Sequence, residues 1–443
     1  MKPIPGRARW DYGWTVIAIA FLTTAVTLGT HAAFGVLLVA LVDALGWGRS
    51  VVAGAISLTA VLWTLSAAPL GALFDRWGPR VFAACALLAA LGLALSAAAS
   101  APWQLYASMG VLAGIGLTPL RSNMQSVVVT NWFTRRRGLA VGIVASGVGL
   151  GVTVVAPLTQ WVIDQASWRV AYLVLAALFA LLVAPLNAFV QRARPPDQGR
   201  SPAGRGGRGA PPASGVGPSA RMALRHWRFW VLALGFVLGA LPLQFLLAHA
   251  VAYFVDLGYA PAVAASVLGL SGLGTAAAMV FWGYATDRWG GEWAYTAGSA
   301  ALMVSVGVLF AMAPGREPLL YVYAALFALG FASRQGVMTT LAAALLHGPA
   351  FGTLMGILAA HIALGSALGP YLGGWLFDAT GGYEPAFWLA LVSAALSVVC
   401  VWLAAPRHGN LALAANAARE RIGLESYLAR SRRQPPEQCR APR

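Results

Sequence analysis

Residues 71–80 read GALFDRWGPR, and residues 283–292 read GYATDRWGGE. Both stretches place a glycine four residues before an Asp-Arg pair, which is followed by Trp-Gly. Asp75 and Asp287 lie 212 positions apart, close to half of the 443-residue chain. A motif that recurs at this distance suggests that a whole domain is repeated.

The rest of the chain aligns with itself at nearly the same offset. Arg121 and Arg334 lie 213 positions apart, as do Pro157 and Pro370. An offset that stays constant along most of each half predicts an internal duplication.

The composition places this chain in a membrane, since 59% of its residues are hydrophobic and only 10% are charged. A helix needs about 20 apolar residues to cross a bilayer, and the sequence contains twelve such runs. They cover 14–40, 49–72, 80–100, 103–128, 137–160, 168–190, 229–254, 261–285, 293–313, 318–345, 351–376 and 384–404. The sequence therefore predicts an all-α membrane protein with 12 transmembrane helices in two repeated halves of six; the pseudo-symmetric six-helix bundles are what the family resemblance described below implies.

The net charge of +16 follows from membrane topology, and it gives no reason to expect a nucleic-acid partner. With both termini in the cytoplasm, 25 of the 30 Lys and Arg residues fall in inner segments. The outer segments hold only Arg49, Arg169 and Arg316. This asymmetry predicts the orientation.

The sequence divides into four parts. Residues 1–190 are predicted to form the N-terminal bundle and 229–405 the C-terminal bundle. The segment 191–228 is rich in Gly, Pro, Ser and Arg, which predicts a disordered cytoplasmic linker. Residues 406–443 form a basic cytoplasmic tail, which is either simply solvated or forms a short helix on the anionic membrane face.

The repeated motif resembles the signature that joins spans two and three in the major facilitator superfamily. Its first copy is formed by Gly71, Asp75, Arg76, Gly78 and Arg80, and its second copy keeps Gly283, Asp287, Arg288 and Gly290. DYGWTV at 11–16, FGVLL at 34–38 and NWFTRRRGLAVG at 131–142 resemble the monocarboxylate and oxalate:formate antiporter branch. The resemblance implies two bundles that rock about a site near the midplane, with spans 1, 4, 7 and 10 lining the cavity.

The resemblance also implies a gate at the inner face. The Asp75 carboxylate would accept hydrogen bonds at the N-terminal end of span 11, near Phe351–Thr353, where the helix dipole favours an anion. Gly71 and Gly78 would permit a tight turn and close helix approach, and the second copy around Asp287 would act in the same way. The alternative is a solvated loop that serves only the positive-inside rule.

Charge inside the membrane indicates the substrate. No Asp or Glu lies well inside a predicted span, whereas Arg121 and Arg334 each lie about seventeen residues into a helix. A carboxylate substrate is the simplest partner for such guanidinium groups. On a continuous helix, Thr118 and Gln125 would share one face with Arg121. The alternative is that both arginines extend to phosphates or helix-end carbonyls.

His361 in span 11 is a further candidate for binding the anion or carrying a proton, because the antiporter branch has a basic residue in that span. A neutral, hydrogen-bonded histidine is the alternative. Pro157, Gly365, Gly369 and Pro370 are expected either to bend helices at a rocking interface or simply to pack them.

These features predict a secondary transporter of a small organic anion, with no cofactor or metal and no enzymatic role. Span 8 lacks the arginine and acid of the related families, so anion exchange or facilitated movement is expected before histidine-mediated proton symport. A receptor without net flux and an exporter of another solute are the alternatives. The chain is expected to act as a lipid-embedded monomer in a bacterial inner membrane.

Overall fold

The computed structural model describes residues 7–133, 137–192, 224–345 and 351–405, and every regular element in these ranges is a helix. The linker lies almost entirely outside the described residues, and the tail lies wholly outside them. The twelve helical segments are α1 (Arg7–Leu45), α2 (Arg49–Trp77), α3 (Arg80–Ser96), α4 (102–130, interrupted), α5 (Arg137–Gln165), α6 (Trp168–Val190), α7 (Trp227–Asp256), α8 (Pro261–Trp289), α9 (Gly291–Phe310), α10 (Glu317–Leu345), α11 (Phe351–Thr380) and α12 (Glu384–Ala404).

Length and hydropathy support the membrane assignment. Within the described ranges, nine helices are long and apolar enough to cross a bilayer. The other three predicted spans correspond to the shorter α3, the interrupted α4 and α10. Large apolar side chains such as Leu181, Phe189 and Val280 are at least 77% exposed, as expected for surfaces that face hydrocarbon. The predicted all-α membrane fold is confirmed.

The helix packing follows the internal repeat. In the first bundle α1 lies along α5, and in the second bundle α7 lies along α11. Between the bundles, α2 packs along α11, α5 along α8 and α1 along α7. At the α5–α8 contact, a Cβ added to Gly149 would lie 2.5 Å from the carbonyl oxygen of Gly272. Small residues therefore bring the two bundles into backbone contact.

The final glycine of the repeated motif ends a helix in both copies. Gly78 follows α2 with a φ of 65°, and Gly290 follows α8 with a φ of 86°. Glycine adopts this left-handed backbone without a steric penalty, and so the chain turns sharply into the next span.

The two bundles are joined by hydrogen bonds at one end, here called the outer end because the charge distribution predicts that it faces outward. Six hydrogen bonds between the two bundles lie at this end, and all six are donated by Arg49 or Ser50, at the start of α2. At the opposite, inner end, Asp75 is exposed. The molecule is therefore closed at its outer end.

Candidate substrate site

A small cavity lies where two helices of each bundle meet. His31 on α1, Gln244 on α7 and Ser366 on α11 are its polar lining residues, and Ala60 brings α2 into the wall. The volume is about 10 Å³, which is close to the space that one water molecule needs. The cavity is therefore too small for an organic anion in this conformation.

Two unpaired polar groups lie beside this cavity. The His31 and Trp63 rings meet edge to face with their centroids 4.6 Å apart, and each residue is 8% exposed. His31 Nδ1 and Trp63 Nε1 have no hydrogen-bond partner in the part of the chain that the structure describes. A buried polar group without a partner costs about 1–3 kcal/mol, so both atoms are suited to a partner that is not part of the protein.

Arg121 reaches the same place because α4 is interrupted. A 3₁₀ turn over Thr118–Leu120 contains Pro119, and Arg121 itself is extended, with φ −74° and ψ 159°. A new helix then begins at Ser122. Irregular backbone at membrane depth is tolerated where it lines a cavity or is buried in protein, and this break directs Arg121 toward α2.

The Arg121 guanidinium stacks on Trp63, with its central carbon 3.8 Å from the ring centroid. It donates no hydrogen bond to any residue that the structure describes. A guanidinium carries five N–H donors in a planar fork. The edge of Arg121 thus remains available for an oxygen anion, beside Trp63 and His31.

The predicted polar stripe on α4 is wrong, because the break at Pro119 removes the common helical register. Thr118 Oγ1 instead lies 2.9 Å from the Ser66 hydroxyl oxygen. Gln125 is fully buried, and its Oε1 accepts a hydrogen bond of 3.0 Å from Gln191 Nε2. The structure does not bring either residue to the cavity with Arg121.

Arg334 occupies a different environment from Arg121. It is 3% exposed, and its two terminal nitrogens donate to Tyr295 Oη at 2.8 Å and Ser299 Oγ at 3.1 Å. Both acceptors lie on α9, inside the second bundle. A Cβ on Gly239 would lie 2.2 Å from Arg334 Nη1, so the guanidinium is pressed against α7. Arg334 does not line the cavity, and two of its three nitrogens have protein oxygens as partners, while Nε has none among the described residues.

His361 also lies apart from the cavity lining. Its Nδ1 is 2.8 Å from the Ile357 carbonyl oxygen on its own helix, and its ring meets Trp230 edge to face at 5.8 Å. The structure therefore gives His361 partners within the second bundle.

The predicted gating residues lie at the inner end. Asp75, Arg76 and Arg80 are exposed, and so is Arg288, which donates to Tyr284 Oη at 2.7 Å. The Asp287 side chain and those of Phe351–Thr353 lie outside the described part of the chain.

Among the described residues, the close helix approach expected at the first glycine of the motif is absent from this conformation. The nearest described atom to a Cβ on Gly71 would be Met124 Cε, at 4.0 Å, and a Cβ on Gly283 would have no described atom within 4 Å.

The predicted packing residues occupy three different contacts. Cβ atoms on Gly365 and Gly369 would lie 2.2 and 2.3 Å from α7 carbonyl oxygens, so both glycines pack α11 within its own bundle. Pro157 lies at the α5–α8 contact, where a Cβ on Gly269 would be 3.0 Å from its ring. Pro370 lines the cavity.

The sequence model of the Major Facilitator Superfamily matches residues 17–272 and 245–435 of the chain. This chain is a transporter of the Major Facilitator Superfamily. Among similar proteins of this superfamily, monocarboxylate transporter 13 of Bos taurus is 30% identical over 388 residues, covering 86% of each chain. Monocarboxylate transporter 11 of Mus musculus is 29% identical over 423 residues, covering 92% of this chain and 90% of the relative.

Solved structures support the same fold. A mutant of the nucleoside transporter NupG matches with a TM-score of 0.68 at 13% identity, over 89% of this chain and 98% of the other. A bacterial homologue of the lysosomal transporter Spinster, in an inward-facing and unoccupied conformation, matches with a TM-score of 0.62 at 16% identity, over 91% of this chain and 96% of the other. The family membership and the branch predicted from the sequence motifs are confirmed. This chain is a multi-pass membrane transporter rather than an enzyme.

Several site residues of this major facilitator chain were missed from its sequence. Trp63, Gln244 and Ser366 lie in spans that are rich in apolar residues, and nothing in their spacing distinguishes them. Only the internal repeat and the intramembrane charge of Arg121 indicated where to look.

Proposed function

We propose that this chain transports a small organic anion, most simply a monocarboxylate, by alternating access. The observation that carries the proposal is the unpaired guanidinium of Arg121, stacked on Trp63 beside the cavity between the bundles. A carboxylate offers two oxygens in a plane, which matches the paired N–H groups along one guanidinium edge.

The charge count favours one carboxylate over two. Arg334, the repeat-related arginine, already has protein oxygens as partners. Among the described side chains, Arg121 is thus the arginine that lies beside the cavity, in contact with Trp63, and its guanidinium would neutralise one negative charge. The names of the relatives, monocarboxylate transporters 11 and 13, point to the same class of substrate.

The polar groups beside Arg121 suit the remainder of a small substrate. His31 Nδ1 and Trp63 Nε1 are unpaired, while Phe34 and Leu247 give the lining an apolar character. A compact anion with a short apolar body satisfies both features. A cationic drug would meet the Arg121 charge with no described acid in the cavity lining, which disfavours an exporter of cations.

We place the transporter in a bacterial inner membrane with both termini in the cytoplasm, because 25 of 30 basic residues then lie on the inner side. Anion exchange or facilitated movement is the proposed mode, since the predicted spans contain no Asp or Glu well inside them. We also propose that the transporter works as a monomer, since both bundles that line the cavity belong to the same chain.

Flux measurements in proteoliposomes test this function. Purified wild-type protein is compared with Arg121→Gln, using labelled mono- and dicarboxylates, with and without an internal counter-anion and a pH gradient. Losing a hydrogen bond to a charged group costs about 1.5–3 kcal/mol, so we expect monocarboxylate uptake to fall roughly 10- to 150-fold in Arg121→Gln.

Arg169→Gln is the matched control, because Arg169 also stacks on a tryptophan, Trp168, but lies at the outer end of α6. Its uptake should equal that of the wild type. Absence of any carboxylate flux, or full uptake by Arg121→Gln, contradicts the proposal. Saturable binding without flux would instead identify a receptor.

A further inference from the structure

The outer end is held by a bidentate ion pair between the bundles. Arg49, the first residue of α2, donates from Nη1 to Asp256 Oδ2 at 2.7 Å and from Nη2 to Asp256 Oδ1 at 2.6 Å. Asp256 is the last residue of α7. Two parallel charge-assisted bonds fix the relative position of these helices as well as attracting them.

A second acid closes the same end by capping a helix of the other bundle. Asp378 on α11 accepts from the backbone nitrogens of Arg49 and Ser50 at 3.0 and 2.9 Å, and from Ser50 Oγ at 2.6 Å. Gly48, at the N-cap of α2, has no side chain that could do this. The first N–H groups of α2 therefore obtain their acceptor from across the bundle interface, where the helix dipole also favours a carboxylate.

A hydrogen-bonded chain leads from this end to the wall of the cavity. Arg49 Nη1 donates to Tyr383 Oη at 2.5 Å, which lies 3.0 Å from His249 Nδ1. His249 Nε2 lies 2.9 Å from the Pro370 carbonyl oxygen. A carbonyl can only accept, so Nε2 carries the hydrogen and Nδ1 accepts from the Tyr383 hydroxyl. The donors thus all point from Arg49 toward Pro370, which lines the cavity.

We propose that Arg49, Asp256 and Asp378 form the outer gate of the transport cycle, and that Tyr383 and His249 couple this gate to the substrate cavity. Six hydrogen bonds join the bundles at this end, and each of them has Asp256, Asp378 or Tyr383 as its acceptor. Asp256 is 36% exposed, so water can replace its bonds when the gate opens, and the gate need not be costly to break.

The position of Asp378 mirrors that of Asp75. The helices α2 and α11 pack side by side and run in opposite directions in the predicted topology. Asp378, near the C-terminal end of α11, caps the start of α2, while Asp75, near the C-terminal end of α2, is predicted to cap the start of α11. Asp378 is engaged and Asp75 is exposed in this structure. One helix pair therefore carries an acid at each end, and we infer that the two caps form in alternation.

Chemical labelling tests the outer gate without a substrate, so its result is independent of which anion is carried. Ser366→Cys places a near-isosteric thiol in the cavity wall of a chain whose Cys85, Cys400 and Cys439 are replaced by alanine. A membrane-impermeant methanethiosulfonate is then added to the outer side of intact cells, and the labelling rate is measured. We expect slow labelling in this background and about tenfold faster labelling after Asp378→Asn or Asp256→Asn, since each removes charge-assisted bonds.

Asp164→Asn is the control, because Asp164 also lies at the outer end but its carboxylate accepts from Gln160 within α5. Tyr383→Phe removes one hydroxyl and should speed labelling several-fold. Tyr259→Phe, which removes a hydroxyl that donates to Ala313 within the second bundle, should leave it unchanged.

The exchange of charges in Arg49→Asp with Asp256→Arg should return labelling toward the slow rate. The proposal would be overturned if the Ser366→Cys chain were labelled at the same rate with and without Asp378→Asn or Asp256→Asn. If Asp378→Asn is not recovered as folded protein, Ser50→Ala takes its place, because it removes only the hydroxyl bond to Asp378. Unchanged labelling in both Ser50→Ala and Asp256→Asn would then overturn the proposed outer gate.

Discussion

The guanidinium carbon of Arg121 lies 3.8 Å from the centroid of the Trp63 ring, and the ring of His31 meets the same indole at 4.6 Å. Trp63 therefore holds the cation in one orientation beside the cavity while forming no hydrogen bond of its own. This arrangement makes Trp63 a positioning residue for Arg121.

Trp63→Phe should weaken substrate binding because phenylalanine is a poorer cation–π partner than tryptophan. A loss of about 0.5–1 kcal/mol corresponds to a rise of roughly 2- to 5-fold in apparent KM. Concentration-dependent uptake measures this effect, with Trp103→Phe as the control, since Trp103 is 69% exposed. In the Arg121→Gln background, the same substitution should change KM no further, and a full additional effect there would contradict the positioning role.

Loss of the Tyr295 hydroxyl is expected to reduce stability while leaving substrate affinity unchanged. Tyr295→Phe leaves Arg334 Nη1 without its acceptor and breaks the 2.5 Å contact with Ser397. A buried unsatisfied donor costs about 1–3 kcal/mol, which should lower the thermal midpoint in detergent by several degrees. KM should stay within about twofold of the wild-type value, and a large rise in KM would place Arg334 at the substrate after all.

Two glycines of α5 allow a matched test of the contact between the bundles. Gly149→Ala should destabilise the protein and slow transport, because the new Cβ would lie 2.5 Å from the Gly272 carbonyl oxygen. Overpacking of this kind costs about 1–3 kcal/mol. Gly142→Ala adds a methyl group where no described atom lies within 4 Å, so its thermal midpoint and flux should match the wild type. Equal behaviour of the two variants would show that the α5–α8 contact is not close in the working protein.

The Asp75 carboxylate is expected to act in the conformation opposite to this one. Asp75→Asn should therefore lower the maximal rate of exchange several-fold while leaving equilibrium substrate binding intact. Exchange rates and binding isotherms measured on the same preparation separate these effects, with Asp164→Asn as the control. A wild-type exchange rate in Asp75→Asn would show that Asp75 does not cap the start of α11 during transport.

The sequence predicted the helices better than the directions in which their polar side chains point. Span positions such as 49–72 and 384–404 agree with α2 and α12 because bilayer thickness sets the length of an apolar run. The break in α4 was missed although Pro119 precedes Arg121, because a proline inside a membrane helix often causes only a bend.

Arg334 shows why the sequence does not reveal the direction of an intramembrane side chain. Its spacing from Arg121 correctly reflects the internal repeat, but the side-chain direction depends on Tyr295 and Ser299, which are distant in sequence. The outer gate was missed for the same reason. Arg49 was noted only as a rare basic residue of an outer loop, and its partners Asp256 and Asp378 come from the other half of the chain.

The divergence of the two duplicated arginines has a consequence for how cargo would move. Arg121 belongs to the N-terminal half, whereas its counterpart Arg334 is bound to oxygens of its own half. An anion bound to Arg121 would therefore stay with the N-terminal half throughout the cycle. Movement of the C-terminal half relative to it would expose the anion first to one aqueous compartment and then to the other.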